Sequence, residues 1–311
     1  MSQITKPKLD INSQVNYLEM KGVKFSIIDK HFAINFLTNN SYFYKLKAYC
    51  KNYDKKVSDD TYINLEFAYL KELSTLDLHF RRLCIRFTLD IEHTLKTKLI
   101  RDFNNNPNCD GYQIVIDFLN TEISLKNKLT SYNGTGYVAK DSILNKYGMD
   151  LAIWNFIEII EFGNFIKFCN FYYNQYPSIV YTDIKNMLWS VKCIRNSSAH
   201  NNCLLHNLKP NSFPTFRKNN YITNILYRNL GMSRAAIDKK MSIPSIHDFI
   251  ILLMVYKKIC KSKYMIDALY KDLHKLVNIR FKLHKEYFEK NTVLKSNFIF
   301  LRKLVIMLKK N

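Results

Sequence analysis

Glycine and proline are scarce in this chain, 7 and 6 of 311 residues. So little turn chemistry argues against β-sandwiches and barrels, which join many short strands through Gly- and Pro-rich turns. No Gly-x-Gly-x-x-Gly or Gly-x-x-x-x-Gly-Lys run occurs, so the backbone cradle that Rossmann and P-loop enzymes build around phosphate is missing. The cysteines number seven (Cys50, Cys84, Cys109, Cys169, Cys193, Cys203 and Cys260) and none are spaced Cys-x-x-Cys. An odd count without that spacing speaks against a disulfide framework or a zinc knuckle, and for scattered thiols in a reducing compartment. Long apolar runs are also absent. The longest, Phe249 to Tyr256, falls well short of the roughly 18 residues that span a bilayer. The first residues, MSQITKPKLD, hold no apolar signal core. The expectation is a soluble, cytoplasmic protein without a membrane partner. Acidic residues are in deficit, 26 against 47 Lys and Arg, a net charge of +21. That surplus points to nucleic acid as the partner, with an anionic membrane surface as the competing class.

Apolar residues make up 47% of the chain and charged residues 23%, a composition that folds. Charge is unevenly spread. From residue 216 onward 21 Lys and Arg face 6 Asp and Glu, so the last third is the electrostatic focus. Periodicity is helical almost throughout. Leu76, Phe80, Leu83, Phe87, Ile91, Leu95 and Leu99 recur every three or four residues, one continuous stripe on a long helix. Asp10 is placed to cap a short helix ending at Gly22. Further helices are expected around 28–39, 42–52, 111–130, 150–174, 178–206, 245–260, 263–277 and 292–309. Gly134 and Gly136 mark a loop, and 209–244 reads as loop-rich. The C-terminal NFIFLRKLVIMLKK, apolar with basic edges, suits either an interfacial helix or, preferably, a dimer-packing one.

Few residues are placed for chemistry. His-Glu-x-x-His and Gly-x-Ser-x-Gly are both absent. What remains is VKCIRNSSAHNNCLLH over 191–206, with Arg195, Asn196 and His200. A guanidinium fork matches phosphate, and an imidazole gives or takes a proton near neutrality. Together they supply what attack of a ribose 2′-hydroxyl on its neighbouring phosphodiester requires, with no cofactor. On a helix Asn196 and His200 share a face, while Arg195 lies about 140° from His200. A second copy about a two-fold axis would bring two motifs into one cleft. By spacing alone, the favoured reading is His200 as a capped or core histidine and Arg195 as one half of a surface salt bridge.

Four blocks, in order, resemble the Abi-like family of bacterial abortive-infection proteins, of the AbiD/AbiF type, whose core belongs to the HEPN superfamily. They are VNYLEMKGVKF with INFLTNNSYFYKLKAY (15–49), LDLHFRRLCIRFTLDIEHTLKTKLI (76–100), LAIWNFIEIIEFGNF (151–165) and IRNSSAHNNCLLHN (194–207). The second carries Asp77, Arg81, Ile91, Glu92 and Lys96, the third Trp154, Glu158, Phe162 and Gly163, and the fourth Arg-Asn-x-x-x-His. The resemblance implies an all-α, HEPN-type helical bundle with additional N- and C-terminal helices. Its divisions would be an N-terminal helical region (1–60), a core with the motif (61–215) and a basic C-terminal region (216–311). It implies a metal-independent endoribonuclease with Arg195, Asn196 and His200 as catalytic residues, no cofactor and a homodimeric composite site. It also implies a toxin of anti-phage defence, restrained by or complexed with a small structured RNA. The alternative is a structured-RNA-binding protein whose motif only positions phosphate. Where relatives often carry a basic residue after the motif histidine, Asn201, Asn202 and Cys203 stand here.

Other residues have roles to weigh. Lys257, Lys258, Lys261, Lys263, Lys271, Lys275 and Arg280 are the expected RNA-backbone face, interleaved with Tyr256, Tyr264 and Tyr270. Glu158 and Glu161 are candidates for a second shell around Arg195 or His200, or for a solvated face. Glu92 is read as structural, beside Ile91 and Leu95. The aromatics of 42–49 either stack unpaired bases or, at helical spacing, fill a core.

Overall fold

Asp10 opens the first helix as its position suggests. Its carboxylate accepts from the Ser13 N–H at 2.7 Å, and α1 (Ile11–Met20) follows. Gly22 leaves that helix at φ +82°, where an added Cβ would lie 2.9 Å from the Thr61 Cβ. Only glycine tolerates both the left-handed backbone and the close approach. The computed structural model describes residues 7–134, 136 and 138–310, and among these its fold is all-α apart from a two-residue parallel pairing of β1 (Val23–Lys24) with β2 (Leu65–Glu66) and an isolated antiparallel bridge between Lys55 and Tyr62.

Asp29 caps α2 (Lys30–Asn39), and α3 (Phe43–Ala48) tightens into a 3-10 turn over Tyr49–Asn52. The predicted apolar stripe lies on α4 (Phe67–Asn104), 38 residues long. The segment read as one helix over 111–130 is two, α5 (Gln113–Thr121) and α6 (Ile123–Thr130), parted at Glu122 with φ −113° and ψ 63°. After α7 (Val138–Tyr147), the segment 150–174 also divides, into α8 (Ile153–Ile159) and α9 (Phe162–Gln175). The segment 178–206 holds α10 (Ile179–Thr182), a 3-10 turn at Lys185–Met187 and α11 (Leu188–Ala199), which stops seven residues earlier than expected. The stretch expected to be loop-rich holds α12 (Asn220–Asn229) and α13 (Arg234–Met241), capped by Asn219 and Ser233. Then come α14 (Pro244–Ile259), α15 (Lys263–His274), which runs on through a π turn to Ile279, and α16 (Thr292–Lys310).

The chain forms two compact units. The first takes residues up to Arg86, Ile194–Ile251 and everything from Ser262, and the second takes Phe87–Cys193 and Leu252–Lys261. In the first unit Phe80 of α4 packs against Phe249 of α14 at 4.7 Å between ring centroids. Ile222, Leu226, Ile237 and Met241, from the two short capped helices, are buried. So are Phe300, Leu301 and Leu304 of α16. In the second unit Phe118 meets Phe156, Phe168 and Phe171 edge to face, at 5.1–5.9 Å. Edge-to-face rings are worth about 0.5–1.5 kcal/mol per pair beyond their burial. Among the described residues no helix is long and apolar enough to cross a membrane.

Candidate functional site

The motif residues sit at the C-terminal end of α11. Ile194 and Ser198 turn inward and are buried, which leaves Arg195 and Asn196 half-buried and His200 exposed. Arg195 Nη1 donates to Asn196 Oδ1 at 3.2 Å. With that oxygen engaged, the amide NH₂ is the group Asn196 can offer to a phosphate oxygen. His200 is the residue at which the helix closes. Its N–H reaches the Asn196 carbonyl at 2.9 Å, the Asn201 N–H reaches Ser198 at 3.1 Å and the Asn202 N–H reaches Ser197 at 2.8 Å. Asn201 takes φ +55°. This is a Schellman closure with asparagine in the left-handed position. It accounts for Asn201, because a lysine or arginine there would carry a larger left-handed penalty.

The chain beyond the closure is pinned from behind by a buried polar network. Asp77, fully buried on α4, pairs with Arg81 one turn on. It accepts from Tyr49 Oη at 2.7 Å and from the Leu205 N–H at 2.9 Å. Asn52 donates to the Leu205 carbonyl and accepts from the Leu208 N–H, both at 2.8 Å. Asn297 of α16 donates to the Leu208 carbonyl at 3.1 Å. Side chains 89 to 156 residues away in sequence thus meet on one short stretch of backbone. Each bond satisfies a group that would otherwise be buried unpaired, a cost of about 1–3 kcal/mol. The network fixes where the chain goes five residues after His200, and so supports the helix end that presents it.

Beside this stretch lies a cleft of about 500 Å³, whose lining includes Tyr42, Tyr44, Lys45, Lys51, Asn201, Asn202, His206 and Phe213. Cys203 Sγ contacts the Lys45 carbonyl at 3.7 Å, which joins α3 to the segment after the motif. Burial, helped by the nearby Arg81 guanidinium, pushes Lys45 below the usual lysine range. Burial likewise lowers His206, while its contact with the Cys203 carbonyl works against that shift. The aromatics of 42–49 divide: Tyr49 is core, while Tyr42 and Tyr44 are exposed.

The remaining expected site residues are spread over both units. Lys263, Lys271 and Lys275 are exposed in the first unit, where Arg280 pairs with the buried Glu72 at 2.6 Å. Lys257, Lys258 and Lys261 belong to the second unit; Lys258 pairs with Asp183 at 2.6 Å, and Lys261 is exposed. Glu158 and Glu161 also belong to the second unit, and pair there with Lys96 at 3.3 Å and Lys128 at 2.7 Å. Glu92 is half-buried on α4 beside the buried Ile91 and Leu95. Among the described residues no group of three or more His, Cys, Asp or Glu side chains is set to hold a metal ion. Sequence reasoning missed the cleft lysines and His206. His206 closes the very segment that carries the motif, and two basic residues six apart, Lys45 and Lys51, follow the exposed Tyr42 and Tyr44, a signal that was open to reading.

No curated protein and no solved structure matches the chain. The sequence profile of the family described as Abi-like protein matches residues 35–206, more than half of the chain. That span begins ahead of the exposed tyrosines, takes in Asp77 and Arg81, and ends on His206 just past the helix closure. The chain belongs to the Abi-like protein family.

Proposed function

We propose that this protein is an endoribonuclease of abortive infection that cuts RNA by internal transesterification. The 2′-oxygen attacks the adjacent phosphorus, and the bond from phosphorus to the 5′-oxygen breaks. One imidazole takes the 2′-hydroxyl proton, and a protonated one supplies a proton to the departing 5′-oxygen. The products carry a 2′,3′-cyclic phosphate and a 5′-hydroxyl. Arg195 holds the pentacoordinate phosphorane through its fork, and the Asn196 amide adds a neutral donor. One helix places Arg195 and His200 about 140° apart. The reading therefore has two copies of the chain contribute their motifs to one composite active site, as a HEPN-type homodimer. A small structured RNA restrains the toxin by occupying the same basic surface.

The observation that carries this reading is the exposure of His200 at the helix end, with the paired Arg195 and Asn196 one turn before it. A core histidine would be buried, whereas His200 is exposed, and Arg195 donates to the neutral Asn196 amide. The test is cleavage of single-stranded RNA in the presence of EDTA. The expected result is cutting by the wild type and loss of cutting in His200→Ala. Intact RNA with the wild type, or equal cutting by the variant, overturns the assignment. In that case the alternative, a structured-RNA holder whose Arg195 only positions phosphate, predicts salt-sensitive binding without products.

A further inference from the structure

We infer that the cleft behind the motif helix is a base-reading subsite, built to take an unpaired nucleotide of a single-stranded RNA. The inference rests on the ribonuclease reading for its substrate class, and names the part of the molecule that selects where the strand is held.

The shape and lining carry the argument. A volume of about 500 Å³ lies within the range of small-ligand clefts, about 300–1,000 Å³. Tyr44 is 82% exposed and Tyr42 61%. Two tyrosines left in water at the mouth of a cleft cost hydrophobic burial that the fold does not recover, and rings so placed suit a base that has left its stack. Phe213 forms a further apolar wall, edge-on to His206 at 6.3 Å.

Polar groups supply the reading. His206 Nδ1 lies 2.5 Å from the Cys203 carbonyl oxygen. A carbonyl can only accept, so Nδ1 carries the proton. Burial keeps the ring neutral toward lower pH than usual, and in that form Nε2 is an acceptor. An acceptor at that position suits an exocyclic amine of adenine, cytosine or guanine. Asn201 and Asn202, placed on the cleft wall by the helix closure, offer both donors and acceptors. Lys45 and Lys51 line the same space and suit the flanking phosphates. Asp248, a carboxylate among the lining residues, is engaged by His247 Nδ1 at 2.8 Å. The wall is continuous in chain with His200: Asn201 is the next residue. A base seated here therefore places its own backbone close to the motif.

The experiment measures binding, not cutting. A short fluorescein-labelled 2′-O-methyl RNA cannot undergo attack by its own 2′-oxygen, and its affinity for the full-length protein is read by anisotropy. Tyr44→Ala is expected to weaken binding about tenfold, and Tyr44→Phe to keep wild-type affinity. Tyr221→Ala, which alters a tyrosine 64% exposed outside the cleft, is expected to change nothing. An abasic version of the same strand is expected to bind the wild type as weakly as the normal strand binds Tyr44→Ala. A loss under about threefold in Tyr44→Ala, an equal loss in Tyr221→Ala, or undiminished binding of the abasic strand overturns the subsite. The two readings separate cleanly. If His200 is needed for cutting but Tyr44→Ala binds like the wild type, the nuclease stands and the subsite falls. If base-dependent binding needs Tyr44 but no RNA is cut, the subsite stands and the nuclease falls.

Discussion

The two units are held together in different ways. The second is centred on rings: Phe118, Phe156 and Phe168 are fully buried and meet edge to face. The first adds to its apolar core a set of buried directional bonds, with Asp77, Arg81, Asn52 and Asn297 converging on the backbone of residues 205–208. Ring packing is tolerant, because dispersion and burial depend on volume more than on direction. A polar network is intolerant, because each donor has one acceptor and an orphan is costly. The intolerant construction stands directly behind the segment that carries His200. The lesson is that the segment carrying His200 is positioned from the protein side by fully buried polar bonds, while the second unit sets part-buried ones, Lys98 and Tyr173 on Asp102, beside its packed rings.

The comparison can be broken most forcefully at Asp77. Asp77→Ala leaves the Arg81 charge, the Tyr49 hydroxyl and the Leu205 N–H without their acceptor. The expected cost is about 3–5 kcal/mol, read as a fall in the urea midpoint. Hydrogen exchange by mass spectrometry should show residues 203–209 losing protection first. Equal loss over 87–193 would mean that the network is not local to the motif.

A conservative change on the other side sharpens the contrast. Phe168→Leu keeps an apolar side chain among Phe118 and Phe156 but loses two edge-to-face pairs, and should cost about 1–3 kcal/mol. A loss matching that of Asp77→Ala would erase the distinction between the units. At the helix closure, Asn201→Ala should cost about 1 kcal/mol, because alanine resists the left-handed φ of +55°. Asn201→Gly should be neutral or slightly stabilising, and the thermal midpoints of the pair check it.

The smallest effect is one of pH. Burial holds His206 below the ordinary histidine value. As pH falls, the unfolded chain therefore takes up that proton before the folded one. The stability His206 contributes is complete above about pH 6.5 and declines as pH drops from there toward the folded value. His206→Gln should flatten this acid-side decline in urea titrations run at a series of pH values. An unchanged slope would place the titrating group elsewhere.

Much of the fold was legible in the sequence, and the reasons are local. The stripe from Leu76 to Leu99 announces α4, and Asp10 and Gly22 mark the ends of α1, because periodicity, side-chain caps and left-handed glycines act within a few residues. The misses have equally physical causes. In 209–244 the polar surface outweighs Ile222, Leu226, Ile237 and Met241, four buried residues that suffice to dock two short helices. The break at Glu122 has neither glycine nor proline to signal it. The early end of α11 had a cue in the Asn201–Asn202 pair, since asparagine tolerates the left-handed closure. Of the site, Arg195, Asn196 and His200 were legible as types of chemistry at a spacing. The network was not, because Asp77 and Leu205 are 128 residues apart and no local pattern encodes a bond made in three dimensions.

The central claim is that a ribose hydroxyl breaks its own strand at this helix end. It is tested most directly by mapping one cleavage position in a single-stranded RNA and replacing the single ribose 5′ to it with 2′-deoxyribose. Cutting is predicted to stop at that position alone, with 2′,3′-cyclic phosphate and 5′-hydroxyl ends at every other site. Continued cutting at the deoxy position, or fragments bearing 3′-hydroxyl and 5′-phosphate ends, would contradict it.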